Sequence, residues 1–290
     1  MTDLKTLEPE VAPPVEGATV GAAPAGPKAE SRLKRAGSSV LIAAAGLGAF
    51  TLLWAWGSTF SKELPSPATT FSTLRDLLSS PFSNAGPNDK GILLQLGASL
   101  GRVFKGFLAA VVVGVPFGLL IGANKWAWRA ANPIVQLLRP VSPLAWFPIW
   151  LVILKDAPKA AVWVIFITAL WPIVLNTAAG AAGVPKDHRN VARVFKFGRL
   201  AYLRHVLLPD SLPSIVTGMR QSMGVAWMVI VAVEMLSGGS GVGFYIWNSY
   251  NALNLAKVIS ALLLIGGVGL ILDMLFLRLG RAVAMEGAHA

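Results

Sequence analysis

The chain has 290 residues, of which 13% are charged, about half the share found in an average soluble domain. With 54% hydrophobic residues and a mean hydropathy of +0.62, it cannot supply the polar surface that a soluble fold of this length requires. It has no cysteine, which excludes disulfides, thiolate nucleophiles and cysteine metal ligands. The composition therefore predicts a membrane protein, and the net charge of +11 is compatible with basic cytoplasmic loops.

The N-terminal segment 1–37 differs from the rest of the chain. Residues 11–27 are rich in Ala, Pro, Gly and Glu and have no apolar period, and a basic cluster follows them. We expect this segment to be a disordered cytoplasmic tail. A cleaved signal peptide would place its apolar region nearer the start, so the apolar run 38–57 is interpreted as an uncleaved first span.

Six stretches are long and apolar enough to cross a bilayer, which takes about 20 residues per helix. The predicted spans cover residues 38–57, 102–123, 133–154, 158–179, 213–236 and 258–279. We therefore predict an all-α integral membrane protein with about six transmembrane helices, five of them in a core over 93–282. A short cytoplasmic tail, 283–290, follows the core. Prolines break the third stretch, which favours a packed bundle in which neighbouring helices satisfy the freed carbonyls.

The distribution of Lys and Arg predicts the orientation of the spans. Most of them lie in the N-terminal tail, after the second span and in the long loop 180–212, which share one side if the spans alternate. The positive-inside rule places that side, with both termini, in the cytoplasm. The segment 58–92 is then periplasmic.

The periplasmic segment contains a helix signal. Ser66 and Pro67 form a start signal, and apolar residues follow at helical spacing. These residues are Phe71, Leu74, Leu77 and Leu78. We interpret the stretch as a short helix along the outer membrane interface, the alternative being a docking surface for a periplasmic partner.

Several chemical signatures are missing from the sequence. It has no G-x-x-x-x-G-K-[ST] phosphate loop, and the glycine cluster 238–243 has no following lysine. His188, His205 and His289 are isolated and lack metal-ligand spacing. No nucleophile and base occur together. The sequence thus predicts no catalytic residues, no metal site and no ATPase site of its own, and short basic loops between spans disfavour nucleic-acid binding.

The second span carries small residues at four-residue intervals. They are Ala110, Gly114, Gly118 and Gly122. Small residues at this spacing let two helix backbones approach closely, so we expect this helix at the centre of a bundle or dimer.

The inner loop 180–212 is long, basic and amphipathic in a chain whose other inner loops are short. Its pattern predicts a helix after Pro185, a break near Gly198 and a second helical stretch that closes at Pro209. Two interpretations fit the residues: a helix pair lying on anionic lipid, or a docking element for a soluble cytoplasmic partner.

This loop resembles the signature of the permease subunits of type I ABC importers. That signature consists of E-A-A, then three residues, G, nine residues and I-x-L-P. In that register Asn190, Val191 and Ala192 occupy the E-A-A positions, Lys196 the Gly position and Val206 the Ile position. The Glu is replaced by Asn, and the glycine occurs two residues late. The residues that the resemblance assigns to ATPase coupling are Asn190, Val191, Ala192, Arg193, Lys196, Gly198, Val206, Leu208 and Pro209.

The resemblance extends over residues 100–281. Motifs similar to the nitrate/sulfonate/taurine branch, and within it to nitrate, cyanate and bicarbonate permeases, include Ser99-Leu100-Gly101-Arg102, Thr217-Gly218-Met219-Arg220, Ala226-Trp227, Glu234-Met235-Leu236 and Gly241-Val242-Gly243-Phe244. It implies a multi-pass inner-membrane pore subunit, without its own ATPase site, that imports a small inorganic anion, nitrate first. Bicarbonate, cyanate or an organosulfonate such as taurine are alternatives in the same role. A gradient-driven secondary transporter is the alternative outside the family.

The resemblance also implies partners. They are a second permease copy in a homodimer, two cytoplasmic ATPase subunits that bind ATP and Mg²⁺, and a periplasmic or lipid-anchored solute-binding protein. This chain itself is expected to bind no cofactor.

Charged and aromatic residues inside the spans are candidates for the translocation path, because charges in a span usually face a cavity or a partner. Arg220, Trp227 and Glu234 lie at intervals of seven, about two helical turns, and so share a stripe. Alternatively, Arg220 extends to the inner interface and Glu234 pairs with the outer loop. The full candidate set is Arg139, Trp146, Arg220, Gln221, Trp227 and Glu234.

Overall fold

The computed structural model describes residues 29–61, 63–84, 86 and 90–286, and this part of the chain is almost entirely helical. Residues 1–28 of the predicted N-terminal tail and residues 287–290 of the predicted C-terminal tail lie outside it. The described chain divides into two units, one ending at Trp56 and one beginning at Gly57.

The first unit consists of helix α1 (Ala29–Gly57). It begins nine residues before the predicted start of the first span at Ser38, so it includes part of the segment predicted to be a tail. Ala, Arg, Leu and Lys dominate this early part, and all of them favour helix. The apolar portion is Leu41–Gly57, which is shorter than the other candidate spans.

The second unit contains the remaining helices. They are α2 (Pro67–Ser79), α3 (Ile92–Ala123), α4 (Lys125–Leu138), α5 (Pro143–Leu154), α6 (Ala157–Ala182), α7 (Lys186–Val194), α8 (Arg199–Tyr202), α9 (Leu208–Ser237), α10 (Val242–Asn251) and α11 (Leu255–Glu286). A π-helical turn, Leu203–Leu207, joins α8 to α9. The predicted helix after Ser66 is confirmed as α2, whose first turn is capped by the Ser66 hydroxyl.

The all-α membrane architecture is confirmed, with a difference in the spans. Among the described residues, four helical stretches are long and apolar enough to cross a membrane: α3, α6, the run Arg199–Ser237 and α11. The predicted third span is instead the pair α4 and α5, bent by 91° around Pro140 and Pro143, and would be a fifth span if the pair crosses as one. A proline removes a helical hydrogen bond and moves the preceding residue out of the helical region, which explains the bend.

The core is built from α3, α6 and α9. A methyl group added to Gly114 or Gly118 of α3 would lie only 3.0 or 2.6 Å from side-chain atoms of Ile173 or Thr177 of α6. The predicted close approach along the small-residue stripe is therefore confirmed, and the partner is α6 of the same chain. On the other side of α6, Gly218 of α9 lies against the backbone of α6 in the same manner. The second predicted span is also longer than expected, since α3 begins at Ile92.

The spans of the second unit have two distinct ends. At the α10 end, α3, α6 and α11 begin and α9 ends. Helix α2 packs against α11 at this end, where the Ser260 hydroxyl of α11 donates to the Thr70 carbonyl of α2 at 3.0 Å. At the α7 end, α3 and α6 end and α9 begins. Each end carries a different cluster of polar side chains.

Candidate functional site

The cluster at the α10 end is centred on Glu234, which is completely buried near the end of α9. Arg102 of α3 forms an ion pair with this carboxylate at 2.5 Å, and the Ser99 hydroxyl donates to it at 2.7 Å. Arg102 also donates to the carbonyl and hydroxyl oxygens of Ser240, at 2.9 and 2.6 Å. The carboxylate is thus paired with a cation and hydrogen-bonded, and both contacts offset the cost of burying it.

The same cluster holds the start of α10. Three consecutive backbone N–H groups donate to side chains of other helices: Gly241 to Gln95, Val242 to Ser99 and Gly243 to Glu234, at 2.6, 2.9 and 3.1 Å. Free N–H groups at a helix start need such acceptors. Gly241 has φ of 115°, and a side chain there would collide with the Glu234 carboxylate, so glycine is required on both grounds.

A second ion pair joins α9 to α11 inside the spans. Arg220 donates from Nε and Nη2 to the two carboxylate oxygens of Asp273, at 2.7 and 2.9 Å. Unlike the Glu234 pair, these side chains are 41% and 44% exposed. They line a cavity of about 190 Å³ together with Trp227, whose indole N–H donates to the Ile265 carbonyl at 3.0 Å.

Next to this pair, α9 also contacts α6 through amides. Asn176 donates to the Pro172 carbonyl at 2.8 Å and to the Gln221 side-chain oxygen at 3.0 Å. Gln221 itself is exposed, and its amide nitrogen has no hydrogen-bond partner among the described residues.

At the α7 end, the long loop has the predicted helix–break–helix form. Helix α7 follows Pro185, Lys196 takes a left-handed conformation with φ of 49°, and α8 begins after Gly198. His188 bonds Asp210 of α9 at 2.7 Å, which ties α7 to the start of that helix. We call residues Lys186–Leu207 the loop segment.

The loop segment exposes large apolar side chains together with cations. Val194 and Leu200 are 76% and 77% exposed. Val191 and Phe195 are also exposed. A groove of about 550 Å³ lies between α7 and α8 and contains four cations, Arg189, Arg193, Lys196 and Arg199. An apolar surface with a cationic groove is suited to binding another protein.

The structure separates the residues predicted for the translocation path. Arg220 and Gln221 are accessible, whereas Trp227 and Glu234 are buried within the chain, so the four residues differ in exposure. Arg139 is exposed at the end of α4, and Trp146 is packed against the core.

Of the coupling residues, Ala192 is buried and not available for contact, while Val191 and Arg193 are exposed.

Sequence reasoning did not identify which residues pair with Arg220 and Glu234. Asp273 and Arg102 lie 53 and 132 positions from the residues with which they pair. The available signal was the small number of charges inside apolar spans, since each requires a partner. Among the described residues, no cluster of His, Asp or Glu could hold a metal ion.

Comparison with known proteins identifies the family. Residues 114–285 match the family described as binding-protein-dependent transport system inner membrane component. This chain belongs to that family. As such a permease it is a multi-pass protein of the inner membrane, and ATP hydrolysis belongs to a separate subunit of the transport system.

Individual relatives are similar over most of the permease. The nitrate import permease protein NrtB of Synechocystis sp. is 48% identical over 225 residues, covering 77% of this chain and 82% of that protein. The bicarbonate transport system permease protein CmpB of Synechococcus elongatus is 42% identical over 238 residues, covering 81% and 86%. A solved chain of the MetNI methionine ABC transporter, in an inward-facing conformation, has the same fold with a TM-score of 0.60, at 20% identity and covering 66% of this chain and 95% of that one.

Proposed function

We propose that this permease imports nitrate from the periplasm to the cytoplasm. The observation that carries this proposal is the 48% identity to a nitrate import permease, extending over 77% of the chain. Bicarbonate is the second candidate, because a bicarbonate permease is 42% identical over a similar share. The α7 end is then cytoplasmic and the α10 end periplasmic, in agreement with the basic residues of the loop segment.

The loop segment is proposed as the docking surface for an ATPase subunit. Its exposed apolar residues, Val194 and Leu200 among them, would be buried by the partner, and the cationic groove would receive acidic side chains. ATP and Mg²⁺ bind to that partner, and this chain binds no cofactor. A homodimer of the permease with two ATPases, and a solute-binding protein at the α10 end, complete the proposed assembly.

Docking is tested by co-purification of the tagged permease with its ATPase from the native membrane. Val194→Asp places a charge in the proposed interface and is expected to reduce the recovered ATPase at least tenfold. Leu253→Asp is the matched control, since Leu253 is 87% exposed but lies at the α10 end, and it should leave recovery unchanged. Equal recovery from both variants would contradict docking at the loop segment.

The substrate is tested in proteoliposomes that contain the purified complex, ATP inside and the solute-binding protein outside. We expect ATP-dependent accumulation of labelled nitrate that excess unlabelled nitrate abolishes. Accumulation of bicarbonate but not of nitrate would replace nitrate by the second candidate. Uptake driven by an ion gradient without ATP would overturn the importer proposal.

A further inference from the structure

The Arg220–Asp273 pair lies inside the spans and yet remains partly exposed in the second unit. Arg220 is about 18 Å along α9 from Leu208, and Asp273 is about 15 Å along α11 from Val283, at 1.5 Å per residue. Both side chains retain more than two fifths of their surface. A charged pair exposed to lipid at such a depth is costly, so a water-filled cavity or another polar surface must meet it.

The accessible strip beside this pair is polar at Thr217 and Gln221 and continues along α9 with the exposed apolar side chains of Val225 and Met228. Gln221 and Thr217 occupy one stripe of α9 with Gly224, and all three are exposed. Gly224 has no atom within 4 Å of the position where a side chain would begin, so the strip is recessed there. Arg220, Trp227 and Gly269 line the adjoining cavity.

Two donors on this strip are unused. Arg220 donates to Asp273 from Nε and Nη2, and its Nη1 has no hydrogen bond to any described residue. The side-chain oxygen of Gln221 accepts a hydrogen bond from Asn176, and the amide nitrogen of Gln221 remains available as a donor. Nitrogen donors of an arginine and an amide are suited to an oxyanion, whose oxygens only accept.

We infer that this strip is a contact site for the transported oxyanion, in which Arg220 and Gln221 donate to the anion and Asp273 holds the guanidinium. The cavity beside Arg220, whose lining does not include Gln221, has a volume of about 190 Å³, several times the roughly 30 Å³ share of one water, so a four-atom oxyanion fits against Arg220 with residual water. The inference rests on the proposed import of nitrate and assigns the place where the anion crosses the permease.

Asp273 also sets how strongly the anion is held. The pair has no net charge, so it attracts an anion less than an isolated arginine would in a medium of low dielectric constant. A path needs binding that is favourable enough for the anion to enter and weak enough for it to leave. Asp273→Asn is therefore expected to lower the KM for nitrate and the maximal uptake rate, each at least threefold.

Replacing Arg220 is expected to have the opposite effect on binding. Arg220→Gln removes the charged donor and should raise KM at least tenfold, while assembly with the ATPase and its basal hydrolysis are retained. Arg278→Gln, which removes a cation from the same end of α11 outside this strip, is the control and should transport as the wild type does. Loss of assembly in both Arg220→Gln and Asp273→Asn would make the pair a structural contact and overturn the inference.

A second measurement probes the strip directly and uses the absence of native cysteine. In the assembled complex, Gly224→Cys should react with a membrane-impermeant anionic thiosulfonate, and nitrate should slow the reaction at least threefold. Adding Arg220→Gln should abolish this protection. Val112→Cys, on an exposed apolar face of α3, is the control and should not react.

The outcomes separate the two proposals. If the wild-type complex does not accumulate nitrate, import of nitrate is wrong. If it does accumulate nitrate but Gly224→Cys is unreactive, or is not protected by nitrate, the strip is not on the path and the site assignment is wrong.

Discussion

The two ion pairs that link helices of this permease, Arg102–Glu234 and Arg220–Asp273, differ in how far they are buried. Glu234 of α9 is completely buried. Its carboxylate accepts hydrogen bonds from α3 and from the start of α10. Asp273 and Arg220 make one bidentate contact and remain partly exposed. The first arrangement fixes three segments of the chain, whereas the second leaves donors free. Similar residue types therefore lie in two different environments, which differ in how completely the hydrogen-bonding groups are satisfied among the described residues.

The largest expected effect is that of breaking the covered pair. Glu234→Ala leaves Arg102 without its carboxylate and removes an acceptor from the start of α10, at an expected cost of about 3–5 kcal/mol. Thermal unfolding of the purified complex in detergent, followed by size-exclusion chromatography, measures the change. Glu63→Ala, at an exposed glutamate outside the cluster, should leave the midpoint unchanged. A midpoint equal to that of Glu63→Ala would show that the cluster is not a stabilising contact.

A smaller effect is expected from the backbone of the same cluster. Gly241→Ala puts a methyl group in a left-handed position and against the Glu234 carboxylate, which should destabilise the permease by about 1–3 kcal/mol. The same unfolding assay applies. Gly224→Ala, in open space within α9, is the control, and an equal loss of stability in both variants would contradict the steric explanation.

The exposed pair should contribute much less to stability. Because water can screen partly exposed charges, Asp273→Asn should shift the unfolding midpoint less than Gly241→Ala does, while it changes uptake kinetics. Measuring midpoint and uptake on the same preparation sharpens the contrast with Glu234. A midpoint loss as large as that of Glu234→Ala would remove the distinction between the pairs.

The smallest effect is expected at the exposed start of α6. Asp156 accepts from the backbone N–H of Lys159, which holds the pKa of this carboxyl below its ordinary value. The stabilisation is present above the unfolded-state pKa and is lost as the pH falls through the lowered folded-state pKa. Asp156→Ala should thus cause the same small drop in midpoint at pH 7 and at pH 5. A drop that shrinks between these two pH values would contradict this assignment.

Local features of this chain were predictable from the sequence. Ser66 and Pro67 predicted the start of α2, and the glycine stripe of α3 predicted a close helix contact, because each depends on residues within a few positions. The loop segment's break near Gly198 followed from the same kind of signal.

Long-range features were not predictable. The carboxylate partner of Arg220 and the cation partner of Glu234 come from other helices, and hydropathy does not specify which helix faces which. The start of α3 was predicted at Arg102 because that charge was treated as a span boundary, whereas its pairing with Glu234 lets the helix continue past it from Ile92. Burial of Trp227 also depends on α11, which periodicity within α9 does not reveal.

The uninterrupted course of the chain from Arg199 to Ser237 has a mechanical consequence. This run of 39 residues joins the groove at the α7 end, the Arg220 strip and the Glu234 cluster without an intervening loop. The groove, Arg220 and the residues around Glu234 therefore belong to one continuous helical element, along whose axis a displacement of α8 would be transmitted. Within this run the π-helical turn Leu203–Leu207 interrupts the α-helical hydrogen-bonding pattern, between the groove and Arg220.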